Sequence, residues 1–174
     1  MVEAARGGDV RAFESLVLRH ERRVLRVIRF LGVPASDQED VAQEVFLRVF
    51  RHLPAYRKGR SFAAWAYKIT VNAVHDWRSR VRRLSGDEIP WTDEAEAKVA
   101  EPEGGGEAAR AQLARRLESA LATLSERERA VFVLKELEGL ETAEVARALG
   151  ISSITVRRHL GLARGRLQKK MTSS

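Results

Sequence analysis

Apolar residues in the first half of the chain recur every three or four positions, the spacing of an α-helix that buries one face. The run from Phe13 to Leu31 predicts a first helix, with Asp9 as its N-cap. Gly32 and Pro34 follow this run, and both residues favour a helix end. We therefore expect one continuous helix of about five turns.

Two further helices are predicted before residue 84. We expect Ser36 or Asp37 to cap the second helix and Pro54 to end it. Its apolar face comprises Ala42, Val45, Phe46, Val49, Phe50 and Leu53. The third helix, from about Ser61 to Arg83, is expected to bury Phe62, Trp65, Ala66, Ile69, Ala73 and Trp77. The first half of the chain is thus predicted to be a three-helix bundle.

The second half has the pattern of a helix-turn-helix domain. A first helix is marked by Leu113, Leu117, Ala120, Leu121 and Leu124. Ser125 then opens a capping box with Glu128. We expect Thr142 to cap a short helix that ends at Gly150, and Ser152 to cap the last helix. The inward face of that last helix comprises Val156, Leu160, Ala163 and Leu167.

Residues 85–109 separate these two patterns. They contain eight acidic residues against Lys98, two prolines and a glycine triplet, and they have too few large apolar residues to bury a core. We predict a flexible acidic linker between a domain at 1–84 and a domain at 110–174. Trp91 is the exception in this linker, an aromatic residue able to dock on a domain or on a partner, and its role stays open. The predicted fold is therefore all-α, with two small helical domains.

Composition excludes several classes of protein. The chain contains no cysteine, which rules out disulfides, thiolate metal sites and cysteine nucleophiles. Its first residues lack the apolar core of a signal peptide, and no stretch approaches the roughly 18 apolar residues of a membrane span. We expect a cytoplasmic protein without membrane insertion, bound metal or cofactor.

The distribution of charge suggests a polyanionic partner. The formal net charge is +7. Residues 54–84 hold eight basic residues against Asp76 alone, and residues 150–174 hold six basic residues and no acid. Two basic surfaces therefore flank the acidic linker, an arrangement that favours two contacts with nucleic acid.

The segment Thr142 to Gly161, TAEVARALGISSITVRRHLG, is the strongest local signal. Small residues let two helices cross closely, a glycine makes the turn and a basic helix follows. The residues expected to meet the major groove are Ser153, Thr155, Arg157, Arg158, Gly161 and Leu162, with Ile154 on the same outward face. The other interpretation is an ordinary helical hairpin with a solvated basic face, which the acid-free charge block disfavours.

A polar stripe interrupted by a leucine lies opposite the apolar face of the second helix. It comprises Asp40, Gln43, Glu44, Leu47, Arg48 and Arg51, and it suits a protein-docking face. The periodicity alone favours a different interpretation, in which the acids simply lie at the positive end of the helix dipole. An enzymatic interpretation would make Asp40 and Glu44 metal ligands together with His52 or His75.

Aromatic and basic residues alternate between Ala55 and Arg83. Their helical spacing places Phe62, Trp65 and Trp77 in the core. The residues expected to contact nucleic acid are Tyr56, Arg57 and Lys58 in a loop, and Lys68, Asn72, His75, Arg78 and Arg82 on the polar side of the helix. An amide such as Asn72 can read a base edge, while cationic side chains hold phosphates.

Over nearly its full length the chain resembles the extracytoplasmic-function sigma factors. GDVRAFESLVLRH resembles the opening helix, DQEDVAQEVFLRVFRHL the polymerase-binding helix and SFAAWAYKITVNAVHDWRSR the helix that engages the minus-ten element. The segment from Leu124 to Leu167, which begins LSERERAVF, resembles the region that reads the minus-thirty-five element. The resemblance implies a non-enzymatic subunit that binds promoter DNA and the clamp helices of core RNA polymerase, and that has an anti-sigma partner.

The resemblance also assigns roles to residues. It places Asp40, Gln43 and Glu44 on the surface that grips the clamp helices, which favours docking over the dipole interpretation. It makes the loop from Tyr56 to Arg60 the place where a flipped base is captured, because binding in a pocket can offset the cost of unstacking. The recognition helix departs from the family pattern at Arg158, His159, Gly161 and Leu162, so base-by-base readout is not carried over.

Two rival functions remain open at this point. A helix-turn-helix repressor or activator acting as a dimer would use the second domain but would leave the second helix and the basic aromatic block unexplained. A nuclease built on Asp40, Glu44 and a histidine would need a metal. Run-off transcription with core polymerase would separate both rivals from a sigma factor.

Overall fold

The computed structural model describes residues 1–57, 59, 61–85 and 105–172. Its helices are α1 Val2–Arg6, α2 Val10–Phe30, α3 Ala35–His52, α4 Phe62–Ser85, α5 Gly105–Ala122, α6 Glu126–Phe132, α7 Thr142–Leu149 and α8 Ser153–Thr172. A short 3-10 turn, Leu53–Ala55, follows α3, and a π-helical segment, Val133–Leu137, follows α6. These ranges contain no β-strand, so the all-α prediction is confirmed.

The first bundle consists of α1 to α4. Asp9 caps α2 as predicted, because its Oδ1 accepts a hydrogen bond from the backbone N–H of Ala12 at 3.1 Å. The predicted cap of α3 is wrong. The helix begins at Ala35 behind Pro34, so Ser36 and Asp37 lie inside its first turn. A proline with extended backbone at the N-cap position ends the preceding loop without a side-chain cap.

The second bundle consists of α5 to α8. The capping box at its centre is present: Ser125 Oγ accepts from the N–H of Glu128 at 3.4 Å, and Glu128 Oε2 accepts from the N–H of Ser125 at 3.0 Å. Thr142 is not a cap, because Glu141 precedes α7 and its N–H donates to Glu144 Oε2 at 3.0 Å.

The turn between α7 and α8 follows the prediction. Gly150 adopts φ +64°, the left-handed conformation that favours glycine at a helix end. Ser152 then caps α8, where its Oγ accepts from the N–H of Thr155 at 3.1 Å. The helix-turn-helix therefore has the local chemistry that its sequence predicts.

One hydrophobic core runs through both bundles. Its fully buried members include Val24, Val27, Ile28 and Val45 from the first bundle and Leu121, Val131, Leu134, Val145 and Val156 from the second. Helix α4 packs along α7, and α2 packs against the π-helical segment. The two bundles therefore form one packed unit, a feature that the sequence does not predict.

The predicted linker overlaps the structure only in part. Helix α4 continues to Ser85 and α5 begins at Gly105, so both ends of the predicted 85–109 segment are helical. The rest of that segment, including Trp91, lies outside the described residues. In the part of the chain that the structure covers, no helix combines the length and apolarity that a membrane crossing requires.

Candidate functional site

Helix α3 presents the predicted polar stripe to solvent. Asp40, Gln43 and Leu47 are exposed, whereas Glu44 and Arg48 are half-buried. Arg48 donates through Nε to Glu44 and through Nη1 to Asp76 of α4, both at 2.6 Å. These hydrogen bonds raise the pKa of the Arg48 guanidinium. The stripe therefore combines acidic side chains, an exposed leucine and an arginine fixed by two carboxylates.

An apolar groove of about 700 Å³ lies beside this stripe, between α2 and α3. Its floor includes Phe13, Leu25 and Phe46, and its rim carries Asp40. Phe50, which was predicted to be buried, is 53% exposed and touches the edge of Phe13 with ring centroids 5.0 Å apart. The prediction is wrong because Phe50 lines this open groove.

The metal-site interpretation finds no support in the described residues. These residues contain no group of three His, Asp or Glu side chains close enough to hold an ion. Glu44 is instead paired with Arg48, and His75 lies 3.8 Å from Asp76.

Tyr56 does not lie on the surface, in contrast to the prediction. Its ring packs against Trp65 at 5.2 Å and Phe62 at 5.8 Å between centroids, in a cluster with Leu16. Burial, followed by the charge of Glu3, raises the pKa of the Tyr56 hydroxyl. Of its predicted loop companions, Arg57 is exposed and Lys58 lies outside the described residues. Tyr56 therefore anchors the loop by packing.

Lys68 and Asn72 project from α4 as predicted, and both are exposed. They line a cleft of about 450 Å³ between the bundles. The opposite wall of this cleft carries Glu144 and Arg147 of α7. The polar face of α4 thus lies beside the second bundle, with Lys68 and Asn72 still exposed to solvent in the cleft.

Arg78 departs from its predicted place on that polar face. Its Nη2 donates to the carbonyl oxygen of Leu31 at 2.7 Å, and its Nη1 lies 3.0 Å from Glu126 Oε2. Burial lowers the pKa of Arg78, against the opposing effect of Glu126. In this arrangement Arg78 joins the two bundles, because Leu31 follows α2 and Glu126 opens α6.

The outward face of α8 matches the prediction. Arg157, Arg158 and Gly161 are exposed, as are Ile154 (74%) and Leu162 (48%). Ser153 and Thr155 are half-buried at the helix start, where Thr155 Oγ1 lies 2.9 Å from Ser152 Oγ. A β-carbon at Gly161 would meet no atom within 4 Å, so internal packing does not require glycine there.

Sequence reasoning missed the residues that join the bundles, above all Glu138. Its Oε1 accepts from Arg26 Nη2 at 2.7 Å and Nε at 2.9 Å, and its Oε2 accepts from the hydroxyl of Tyr67. Burial and the hydrogen bond to Glu138 raise the pKa of Tyr67. No local motif marks such a contact, because its partners are 112 and 71 positions apart in the chain.

Comparison with known protein families decides the family. The model of Sigma-70 region 2 matches residues 16–84, and that of Sigma-70 region 4 matches residues 114–167. The two matches together cover more than half of the chain. The chain belongs to the sigma-70 family. Sigma factors are transcription initiation factors. The region 2 match contains α3 and nearly all of α4, and the region 4 match contains the first three quarters of α8.

Curated relatives place the chain in the extracytoplasmic-function group of this family. It is 36% identical to the RNA polymerase sigma factor CnrH of Cupriavidus metallidurans, covering 94% of this chain and 88% of CnrH. It is 30% identical to the ECF RNA polymerase sigma-E factor of Escherichia coli K12, covering 98% of this chain and 92% of that protein.

Solved structures show the same fold. CnrH in complex with the cytosolic domain of CnrY has a TM-score of 0.75 at 28% identity, covering 99% of this chain and 96% of that chain. The sigma factor RpoE of Bartonella quintana, in complex with the anti-sigma factor NepR, has a TM-score of 0.74 at 18% identity. The match covers 94% of this chain and 98% of that chain.

Proposed function

We propose that this chain is an extracytoplasmic-function sigma factor, which binds core RNA polymerase, recognises the minus-thirty-five and minus-ten promoter elements and promotes strand opening. The observation that carries this proposal is that one chain pairs an exposed polar stripe with a leucine on α3 and an exposed basic face on α8. Polymerase supplies the chemistry, so the chain needs no catalytic residue, metal or cofactor, and it acts in the cytoplasm.

The polymerase-binding surface is assigned to Asp40, Gln43, Glu44, Leu47 and Arg48. The exposed carboxylate of Asp40 attracts a basic partner and steers its approach, while the exposed Leu47 beside an apolar groove supplies burial on docking. The ion pairs of Arg48 hold its long side chain in one geometry. The surface is therefore organised before the clamp helices bind, which reduces the entropy cost of binding.

Recognition of the minus-thirty-five element is assigned to the outward face of α8. Arg157 and Arg158 can contact guanine edges or phosphates, and the exposed apolar side chains of Ile154 and Leu162 suit the methyl group of thymine. Ser153 and Thr155, near the start of α8, are assigned to contacts with the DNA beside those of the arginines. The bare backbone at Gly161 allows the groove wall to approach α8 closely.

Recognition of the minus-ten element is assigned to Lys68 and Asn72 on α4 and to Arg57 in the preceding loop. Lys58 and Arg78 complete this predicted set, although Arg78 is engaged with Glu126 in the packed form. Tyr56 supports the loop from within the core. Cations that hold the backbone beside an amide that reads a base are the groups needed to capture an unpaired strand.

An anti-sigma factor is proposed as a further partner. The relatives CnrH and RpoE are described in complexes with CnrY and with the anti-sigma factor NepR. A protein that covered the α3 stripe would compete with polymerase for the same side chains.

Run-off transcription tests the proposed function. Core polymerase and the chain are incubated with linear templates that carry randomised segments upstream of a constant transcribed region, and the transcribed templates are sequenced. We expect two enriched sequence blocks at a fixed spacing, and none with core polymerase alone. A repressor or activator would enrich no transcribed template, and this result would overturn the proposal.

A further inference from the structure

A pocket of about 350 Å³ lies where α4 meets the start of α6 and the end of α7. One side of this pocket is apolar and is formed by Val71 and Val74 of α4 with Leu149 of α7. Two of its polar lining residues, His75 and Arg127, are exposed. The pocket therefore combines an apolar wall with polar groups that solvent reaches.

Positive charge predominates among the polar lining residues. The described lining contains one carboxylate, that of Glu126, against three guanidinium groups, those of Arg78, Arg127 and Arg129. Glu126 is also shared, since it lies 3.0 Å from Arg78 and 3.0 Å from Arg82, which is outside the lining. The lining thus carries an excess of two positive charges, and such an excess in a concave site attracts an anion.

Arg129 is the most buried of these cations. It is 3% exposed, and its Nε donates to the carbonyl oxygen of Leu121 at 2.8 Å. Burial, followed by the charge of Arg78, lowers the pKa of Arg129, while Glu126 opposes this effect. The two guanidinium groups are therefore close enough to repel each other, and an anion bound between them would relieve that repulsion.

Arg78 is held in position by protein atoms. Its Nη2 donates to the carbonyl oxygen of Leu31 at 2.7 Å, and its Nη1 lies 3.0 Å from Glu126 Oε2. Arg78 and Arg129 are thus oriented before a ligand arrives, which lowers the entropy cost of binding. The planar guanidinium suits phosphate in particular, because its N–H groups donate to two oxygens at once.

The size of the pocket favours an organic anion over an inorganic one. Small-molecule sites measure about 300 to 1,000 Å³ and join apolar walls to a few polar groups that fix orientation. Val71, Val74 and Leu149 supply such a wall, and the side chains of Asn72 and His75 beside it offer hydrogen bonds. Inorganic phosphate would leave the apolar wall uncovered.

We propose that this pocket binds a small organic phosphate of nucleotide size, with its phosphate among the three arginines and its apolar or aromatic body against Val71, Val74 and Leu149. The site goes beyond the function proposed above, although it shares Asn72 and Arg78 with the set assigned to the minus-ten element. Its lining comes from both bundles, so a ligand that binds there stabilises the folded chain by mass action.

The test titrates the full chain with adenosine monophosphate, inorganic phosphate and adenosine in a calorimeter at fixed ionic strength. We expect adenosine monophosphate to bind about tenfold more tightly than inorganic phosphate, because adenine covers the apolar wall. Adenosine lacks the anion and should not bind at the same concentrations. Arginine Nε–H signals in nuclear magnetic resonance spectra locate the ligand, and the signal of Arg129 should shift when adenosine monophosphate is added.

Arg127→Gln removes one positive charge from the lining at an exposed position, so the fold should be unaffected. We expect it to weaken binding of adenosine monophosphate about fivefold. Arg115→Gln is the matched control, because it makes the same change at an exposed position of α5 outside the pocket. The control should bind adenosine monophosphate as the unsubstituted chain does.

An Arg129 signal that does not move on addition of adenosine monophosphate would overturn the proposal. Equal affinities for adenosine monophosphate and inorganic phosphate would overturn it as well, as would equal losses of affinity in Arg127→Gln and Arg115→Gln. These measurements contain neither polymerase nor DNA. A failure of the proposed function is therefore distinguishable, because it would appear as a loss of promoter-specific transcripts.

Discussion

The guanidinium of Arg129 occupies the space that a β-carbon would need at Gly32. Gly32 follows α2 with φ +88°, and Arg129, on α6, is 3% exposed and donates through Nε to the carbonyl oxygen of Leu121 at 2.8 Å. Burial lowers the pKa of Arg129 to about 10, which leaves the side chain charged at neutral pH. The second bundle is thus fitted to the end of α2 at a position that only glycine allows.

Gly32→Ala is expected to lower the free energy of unfolding by more than the cost of placing a side chain at a positive φ. A side chain at positive φ costs about 1 to 3 kcal/mol, and displacement of a buried arginine adds to that cost. Gly8→Ala is the matched control, because Gly8 has φ +95° but nothing within 4 Å of its β-carbon position. The measurement is urea unfolding followed by circular dichroism. Equal losses of unfolding free energy in the two variants would contradict the packing of Arg129 on Gly32.

Asp40→Lys is expected to weaken binding to core polymerase while leaving helix content unchanged. The side chain is exposed on a helix that is held by its other face, so the substitution reverses a surface charge without opening the core. Glu14→Lys makes the same change of charge at an exposed position of α2 outside the stripe. Affinities measured by fluorescence anisotropy should differ between the two variants, and equal affinities would remove α3 as the docking face.

Arg157→Ala and Arg158→Ala should separate base contacts from phosphate contacts. Loss of a bidentate guanine contact costs about 1 to 3 kcal/mol and relaxes preference at one base pair. Loss of a phosphate contact weakens all sequences alike and lowers the salt dependence of binding. Holoenzyme binding to single-base variants of the selected minus-thirty-five element distinguishes the two outcomes. Unchanged binding by both variants would remove this face of α8 from promoter recognition.

Leu162 offers a narrower test of apolar readout. If its side chain touches a thymine methyl, replacing thymine by uracil in the minus-thirty-five element should weaken binding by the unsubstituted chain. Leu162→Ala should then bind both templates with similar affinity, because the methyl has lost its partner. A uracil effect of the same size in Leu162→Ala would assign the methyl contact elsewhere, with Ile154 as the next candidate.

Short-range chemistry explains which parts of the fold the sequence predicts. Asp9, Ser125 and Ser152 are found as caps because each binds a backbone N–H three residues further on. The period of apolar residues likewise identifies the buried face of α8, where Val156, with Leu160, Ala163 and Leu167, is buried. These features depend on neighbouring positions alone, so one sequence is enough.

The predicted caps of α3 and α7 are misplaced by one to three residues within the local sequence, whereas the errors about burial have a long-range cause. The residues next to Tyr56 in the sequence are typical of a surface loop. Its burial depends on Leu16 and Trp65, which belong to other elements. Arg78 has the spacing of the polar face, and its partners lie 47 and 48 positions away. The joining of the bundles is missed for the same reason, because the pattern of one helix does not specify which distant helix packs on it.

Promoter opening by α4 is the central claim of this account, and permanganate footprinting of unpaired thymines measures it most directly. Holoenzymes carrying Lys68→Ala or Asn72→Ala are compared with the unsubstituted chain on the selected promoter, with closed-complex binding measured in parallel. We predict normal closed complexes and a loss of thymine reactivity over the minus-ten element. A template that is already unpaired there should restore transcription, because the cost of melting has been removed. Normal reactivity in both variants on duplex DNA would contradict the assignment of strand opening to this face.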